Sequence, residues 1–272
     1  MNRLPLPADW LVPDWPAPPG VRAVCTTRAC PAGDAPSAAP WGGFNLADHV
    51  GDAPQAVASH RAALAACMGA RPVFLKQMHG CHVAKLDAYA PDGQPADAAV
   101  TASSGVACTV MVADCLPVLL ARADGAAVAA AHAGWRGLAD GVIEAAAQAV
   151  RRLGPHPPAS AASATSAVEV VAWLGPCIGP DAFEVGPEVR AAFTAARPEA
   201  AACFSPRPGG KWLAHLPALA RQRLAALGIP TWGNDGSPAW CTFSQPQLFH
   251  SYRARPVTGR MAACVWLARG ES

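Results

Sequence analysis

VACTVMVADCLPVLL, residues 106–120, is apolar on both sides of a short break at its middle. Its length and its valines and leucines read as two buried strands joined by a turn at Ala113 to Pro117. The run from Gly105 to Leu120 is shorter than the ~20 residues a membrane helix needs, and Asp114, Cys115 and Pro117 interrupt it. Just downstream, GAAVAAAHAGWRG reads as a third strand and its exit loop. Helical spacing of Leu138, Val142, Ala145, Ala149 and Val150 follows.

Further strands are expected at Val21–Thr27, in PVFLKQMHG, in VEVVAWLGPCIGP and in TGRMAACVWLA. A helix from Pro54 to about Met68 is expected, capped by Asp52, with others at Pro187–Ala196 and His215–Gly228. Gly154–Thr165 reads as a loop or insert. Strands and helices mingle without a steady βα rhythm, so the pattern predicts an α+β fold with mixed sheets rather than a doubly wound parallel one. One domain spanning residues 1–272 is expected.

Charged residues make up 15% of the chain and hydrophobic ones 52%, which is the balance of a globular protein with a large core. The net charge is +2, and no run of like charge exceeds a pair. That removes the basic track a nucleic-acid partner needs, and a membrane surface is equally unadvertised. The start, MNRLPLPADWLVPDW, lacks a signal peptide's unbroken apolar stretch, so a cytoplasmic protein is expected. Ten scattered cysteines without a CxxC pair then read as reduced thiols, most of them small core residues.

Three segments share a grammar in which an apolar strand ends in a metal ligand or nucleophile: FLKQMHG with His79, VMVADCLP with Cys115 and VAAAHAGWRG with His132. One thiolate and two imidazoles form a trigonal base for Zn²⁺ and leave a fourth position for water. Thiolate and imidazole are soft enough for zinc or copper and poor for magnesium. Alone, each residue has a bland reading as a hydrogen-bonded surface histidine or an inert thiol. His82 competes with His79 as a ligand. The same residues also fit a cysteine hydrolase with Cys115 as nucleophile and His132 as base, Asp114 or another carboxylate orienting the ring. A multicopper oxidase would need paired HxH histidines, and the eight histidines contain no such pair. In the exit loop, Gly137 reads as the helix start, and Arg136 beside free amides reads as an anion site.

The set TTR, FNLADHVGD, KQMHG, ADCLPVLL, HAGWRGL, GPCIGP, SYRAR and TGRMA, in order over nearly the whole chain, resembles the bacterial polyphenol oxidase or laccase-domain family. Its members are now described as purine nucleoside phosphorylases. The resemblance implies a fold of duplicated β-α-β units, with mixed sheets in α/β/β/α layers. It implies a cytoplasmic enzyme that cleaves adenosine, inosine and methylthioadenosine with phosphate, with adenosine deamination as a second activity. Oligomeric state is left open. The implied metal is zinc, with copper as the alternative ion, held by His79, Cys115 and His132. These three are also the expected catalytic residues. Motif position makes Arg136, Asn45 and Arg28 the expected substrate contacts. The chain departs from the family after TTR, where ACPAGDAPSAAPWGG replaces a glycine pair and serine, and in SYRAR, where Ala254 separates the arginines. Two other functions compete: a cysteine hydrolase acting on a cell-wall precursor, and a copper-dependent polyphenol oxidase.

Overall fold

The computed structural model describes residues 4–154 and 169–269. Thirteen strands run in chain order: β1 Val21–Cys25, β2 Arg71–Phe74, β3 Val83–Leu86, β4 Ala98–Thr101, β5 Val106–Val112, β6 Leu116–Arg122, β7 Val128–Ala133, β8 Val170–Leu174, β9 Glu184–Val185, β10 Phe204–Pro206, β11 Trp212–Ala214, β12 Thr231–Gly233 and β13 Met261–Leu267. The α-helices are α1 Pro54–Met68, α2 Trp135–Asp140, α3 Val142–Arg152, α4 Pro187–Thr194 and α5 Leu216–Ala226. The sheets have the orders β1-β13-β5-β2, β12-β8-β6-β7-β4-β3 and, for a small third sheet, β10-β11-β9. The result is a layered α+β fold with mixed sheets.

The two larger sheets pack face to face. Along β6, Leu119 and Ala121 point into the space between the sheets, together with Cys108 and Val110 of β5 and Val265 of β13. Val118 and Leu120 point the other way, against Ile143, Ala147 and Val150 of α3 and Leu219 and Leu224 of α5. On the far side, Ala107 and Met111 of β5 meet Leu64 and Met68 of α1. Successive side chains alternate faces, and both faces are covered, so β5, β6 and β7 are buried at every position and largely apolar.

The two halves of the 106–120 stretch are strands, but they do not pair with each other. β5 lies in the four-stranded sheet between β13 and β2; β6 lies in the six-stranded sheet between β8 and β7. The chain passes from one layer to the next at Ala113–Cys115, and Asp114 takes φ 93° to make the passage. Neither a two-residue hairpin nor a long crossover does this, which is why sequence adjacency misleads here.

Several expectations need correction. Asp52 does not cap α1; the cap position is Ala53, and no side chain bonds there. Asp52 instead turns inward, accepting from Ser37 Oγ at 2.5 Å and Asn45 Nδ2 at 2.8 Å. The single helix expected from Leu138 is two, broken at Gly141 with φ 103°, and the first begins at Trp135 rather than Gly137. β3 and β4, short segments of small residues, carry no strand signal in the sequence that periodicity could find. Apart from Gly154, the loop expected at Gly154–Thr165 lies outside the described residues. No helix among the described residues is long and apolar enough to cross a membrane.

One buried histidine makes stability depend on pH. His250 is fully buried; its Nδ1 lies 3.3 Å from Thr258 Oγ1, and its Nε2 meets no hydrogen-bond partner within 3.5 Å among the described residues. Burial, and then the charge of Arg28, lower its pKa to about 3. Unfolded, the same ring titrates near 6.5, so the unfolded chain takes up a proton that the folded chain refuses. The stabilisation is complete above about pH 6.5 and is lost as pH falls toward about 3, by at most ~1.4 kcal/mol per pH unit. Urea midpoints measured from pH 7 to 5 should fall less steeply for His250→Gln than for the unaltered protein; parallel slopes would refute this origin.

Candidate metal centre

Three strand ends converge where the two sheets meet. β2 runs parallel to β5, so the chain leaving Phe74 travels past the end of β5. There Gln77 substitutes for a strand neighbour: its Oε1 accepts from Met111 N at 2.7 Å, and its Nε2 donates to Met111 O at 2.8 Å. Two residues on, His79 sits with φ 62°. It and Asp114 are the only non-glycine residues with positive φ among those described. Such backbone is strained and persists only where the surroundings enforce it. Both strained residues flank the same site.

β6 and β7 run antiparallel, with Leu116 opposite Ala133 and Pro117 opposite His132. That register places Cys115 beside His132. One ligand atom from each of His79, Cys115 and His132 lies within 4.8 Å of the others. Cys115 Sγ is 3.8 Å from His79 Nε2; sulfur and nitrogen on one tetrahedral zinc would be about 3.6 Å apart. The two rings meet edge to face, with centroids 4.8 Å apart. His82 is not in this group.

The sequence reading missed Asp97, which organises the site. β4 lies antiparallel to β7, with Ala98 opposite Ala131, so Asp97 falls beside His132. Its carbonyl accepts from His132 N at 2.7 Å, and its Oδ1 meets His132 Nδ1 at 2.9 Å. The same carboxylate accepts from the backbone amides of Met78, His79 and Gly80, at 3.0, 2.8 and 2.7 Å. Asp97 therefore holds one ligand ring and the loop of another. No motif announces it; only the β4–β7 register could.

The carboxylate expected to orient His132 is thus Asp97, and Asp114 is corrected to another role. Asp114 accepts from Thr242 Oγ1 at 2.6 Å and from Arg253 N at 2.6 Å, which ties the 251–255 loop to the site.

The electrostatics couple Cys115 to His132 and favour the thiolate. Burial opposes a thiolate at Cys115, but His132 and then His79 outweigh it and bring its pKa down to about 6. Burial opposes a charged His132 as well, yet Cys115 and Asp97 carry it up to about 9. Asp97, raised by burial, is pulled below the usual carboxylate range by His132 and the amides of Gly80 and Met78. With Nδ1 engaged by Asp97, His132 presents Nε2 to the site, the arrangement found around metal-bound histidines. Space is reserved too: a Cβ at Gly134 would lie 2.9 Å from His79 Cδ2 and 3.0 Å from Cys115 Sγ. The donor set fits a soft divalent ion.

The trio forms one wall of a cavity of about 420 Å³. Trp135, Phe183, Tyr252, Arg136, Arg253 and Arg260 also line it. Arg136 is exposed, its guanidinium 4.4 Å from the centroid of Trp135. Its helix, α2, spans only Trp135–Asp140. Arg28 and Asn45 are not brought to this cavity. Arg28 borders a separate depression with Pro246, Arg255 and Thr258, and donates to Pro246 O at 3.0 Å. Asn45 is fully buried among backbone partners.

A family model described as multi-copper polyphenol oxidoreductase laccase matches residues 22–268. A purine nucleoside phosphorylase of Pseudomonas aeruginosa is 46% identical over 259 residues, covering 95% of this chain and 98% of its own. The purine nucleoside phosphorylase YfiH of Escherichia coli is 43% identical, covering 94% and 98%. Among solved structures, a Neisseria meningitidis protein superposes with TM-score 0.84 at 42% identity, covering 96% of this chain and 100% of that one.

Asp97→Asn keeps the shape but replaces one accepting oxygen with an NH2 donor among groups that themselves donate. It should weaken zinc binding, read by chelator competition, roughly 10–100-fold. An unchanged affinity would show that the carboxylate does not organise the ligands.

Proposed function

Since this chain belongs to the multi-copper polyphenol oxidoreductase laccase family, we propose that it works there as a zinc-dependent purine nucleoside phosphorylase. The observation that carries this reading is the single cavity in which a His-Cys-His trio faces aromatic and cationic side chains. Relatives bearing the phosphorylase name, at 46% and 43% identity, support it. Adenosine, inosine and methylthioadenosine are the proposed nucleosides.

In phosphorolysis a phosphate oxygen bonds to the anomeric carbon as the C–N bond breaks. The electron pair leaves with the purine, which gains a proton. Little covalent work falls to the protein; it must hold both reactants in line and stabilise separating charge. Trp135 and Phe183 supply flat apolar surface for a purine, and the arginines supply charge for phosphate. Arg136 remains a proposed contact at the cavity wall. His79, Cys115 and His132 would hold the ion, with Asp97 fixing both histidine segments. A bound zinc supplies Lewis acidity and an acidified water. On the same grounds adenosine deamination is proposed as a side reaction.

Copper-dependent oxidation of phenols is less favoured: among the described residues one ligand group is found, and multicopper chemistry needs more. A cysteine hydrolase retains one supporting observation, the chain Cys115, His132, Asp97. It leaves His79, the third member of the trio, without a task.

Metal-quantified protein incubated with adenosine should release adenine and ribose 1-phosphate only when phosphate is present. Inosine in either case would mark deamination. Zinc removal or Cys115→Ala should cost at least ~100-fold in rate. Turnover that survives metal loss but is blocked by thiol alkylation would instead favour the hydrolase.

A further inference from the structure

Three arginines and His49 line the cavity beside the ligand trio, and their partners separate them. His49 is exposed and sits 3.5 Å from Asp48. Arg253 spends its guanidinium on the carbonyls of Ala182 and Glu184, at 3.3 and 3.1 Å, and lies 5.5 Å from the Phe183 ring centroid. Arg136 is stacked on Trp135 in solvent. Arg260 differs from all three. Its Nη1 donates to the carbonyls of Thr258 and Gly259, at 2.9 and 3.0 Å, and its guanidinium lies 5.8 Å from the Tyr252 ring centroid. It is half-buried where the others are exposed; like Arg136 and Arg253 it forms no salt bridge among the described residues, and burial works against its charge while Cys115 and Asp114 favour it. Nε and Nη2 make no hydrogen bond to the described residues.

Two neutral carbonyls orient this guanidinium without neutralising it. The edge left over, Nε with Nη2, is the one that meets a planar or tetrahedral oxyanion through two parallel bonds. A half-buried guanidinium with no carboxylate in salt-bridge contact and a free edge, bordering a cavity, can take an anion brought by the ligand. The main chain of Arg260 is equally fixed. Its N–H donates to Asn45 Oδ1 at 2.9 Å, and its carbonyl accepts from Leu46 N at 3.2 Å. Asn45 is in turn held by Asp52, which accepts from Ser37. A buried polar chain thus ends on the residue that faces the cavity.

We propose that Arg260 binds the phosphate co-substrate through its Nε/Nη2 edge, and that Asn45 is a positioning residue that acts by fixing the Arg260 backbone. The proposal rests on the phosphorolysis reading above, and it moves the principal anion contact from Arg136 to a side chain of the TGRMA segment. It also gives Asn45, which touches no cavity, a physical task.

The test is equilibrium binding of inorganic phosphate to the zinc-loaded protein by calorimetry, alongside phosphate and adenosine KM values. Losing a bidentate charge-assisted contact should raise the phosphate Kd and KM roughly 10–100-fold in Arg260→Gln, with the adenosine KM within about twofold. Arg260→Lys keeps the charge and the stem but not the fork, so it should fall between; it also serves if the glutamine variant does not fold. Phosphate binding that survives unchanged in both variants overturns the assignment, and so does a wild-type protein that binds no phosphate. A wild type that binds phosphate through Arg260 yet releases no adenine would overturn the phosphorylase reading while the anion site stood.

Discussion

Everything at the site follows from one constraint on the backbone: between Val112 and Leu116 the chain must leave one sheet and enter the other. Both sheets are covered on both faces, so the transfer can occur only at their ends. Asp114 absorbs the change of direction in a left-handed conformation, and Cys115 is delivered to the seam. A thiol inside either strand would be inert packing, as Cys25 and Cys108 are; burial raises both well beyond any useful range. At the seam the same side chain meets two imidazoles and becomes acidic.

Asp97 converts that meeting into a preorganised set. One carboxylate cannot easily serve two ligand segments unless they approach it from different elements. Here the parallel β2–β5 pairing brings the 78–80 amides from one sheet, and the antiparallel β4–β7 pairing brings His132 from the other. The strain at His79 is held in place by the amide bonds that Asp97 accepts. Its stabilisation is local, but its effect is to fix the separation of donors in two layers.

Phe183, Tyr252, Arg253 and Arg260, from the chain's C-terminal third, supply much of the remaining cavity lining. The 251–260 segment is tied to the seam through Asp114 and to the α1 side through Asn45, so the cationic wall and the ligand wall share supports. This explains why residues spread from position 49 to 260 line one cavity of about 420 Å³.

Much of this was legible in the residues. The apolar runs named β5, β6, β7, β8 and β13, α1 was expected close to its observed bounds, and the three candidate ligands stood out because polar groups at the ends of apolar strands need a reason. The motif set also identified the family. Other features could not be read. Asp97 lies in a segment with no periodic signal, Asn45 and Asp52 look like a substrate contact and a cap until their partners are known, and Arg260 looks no different from Arg136. The sequence by itself determined which residues are chemically able to bind a metal and which segments must be buried, because composition and local patterning decide those. Only the tertiary structure decided which strands pair, which carboxylate orients His132 and which cavity arginine is half-buried, because register and burial are set by contacts between residues far apart in the chain.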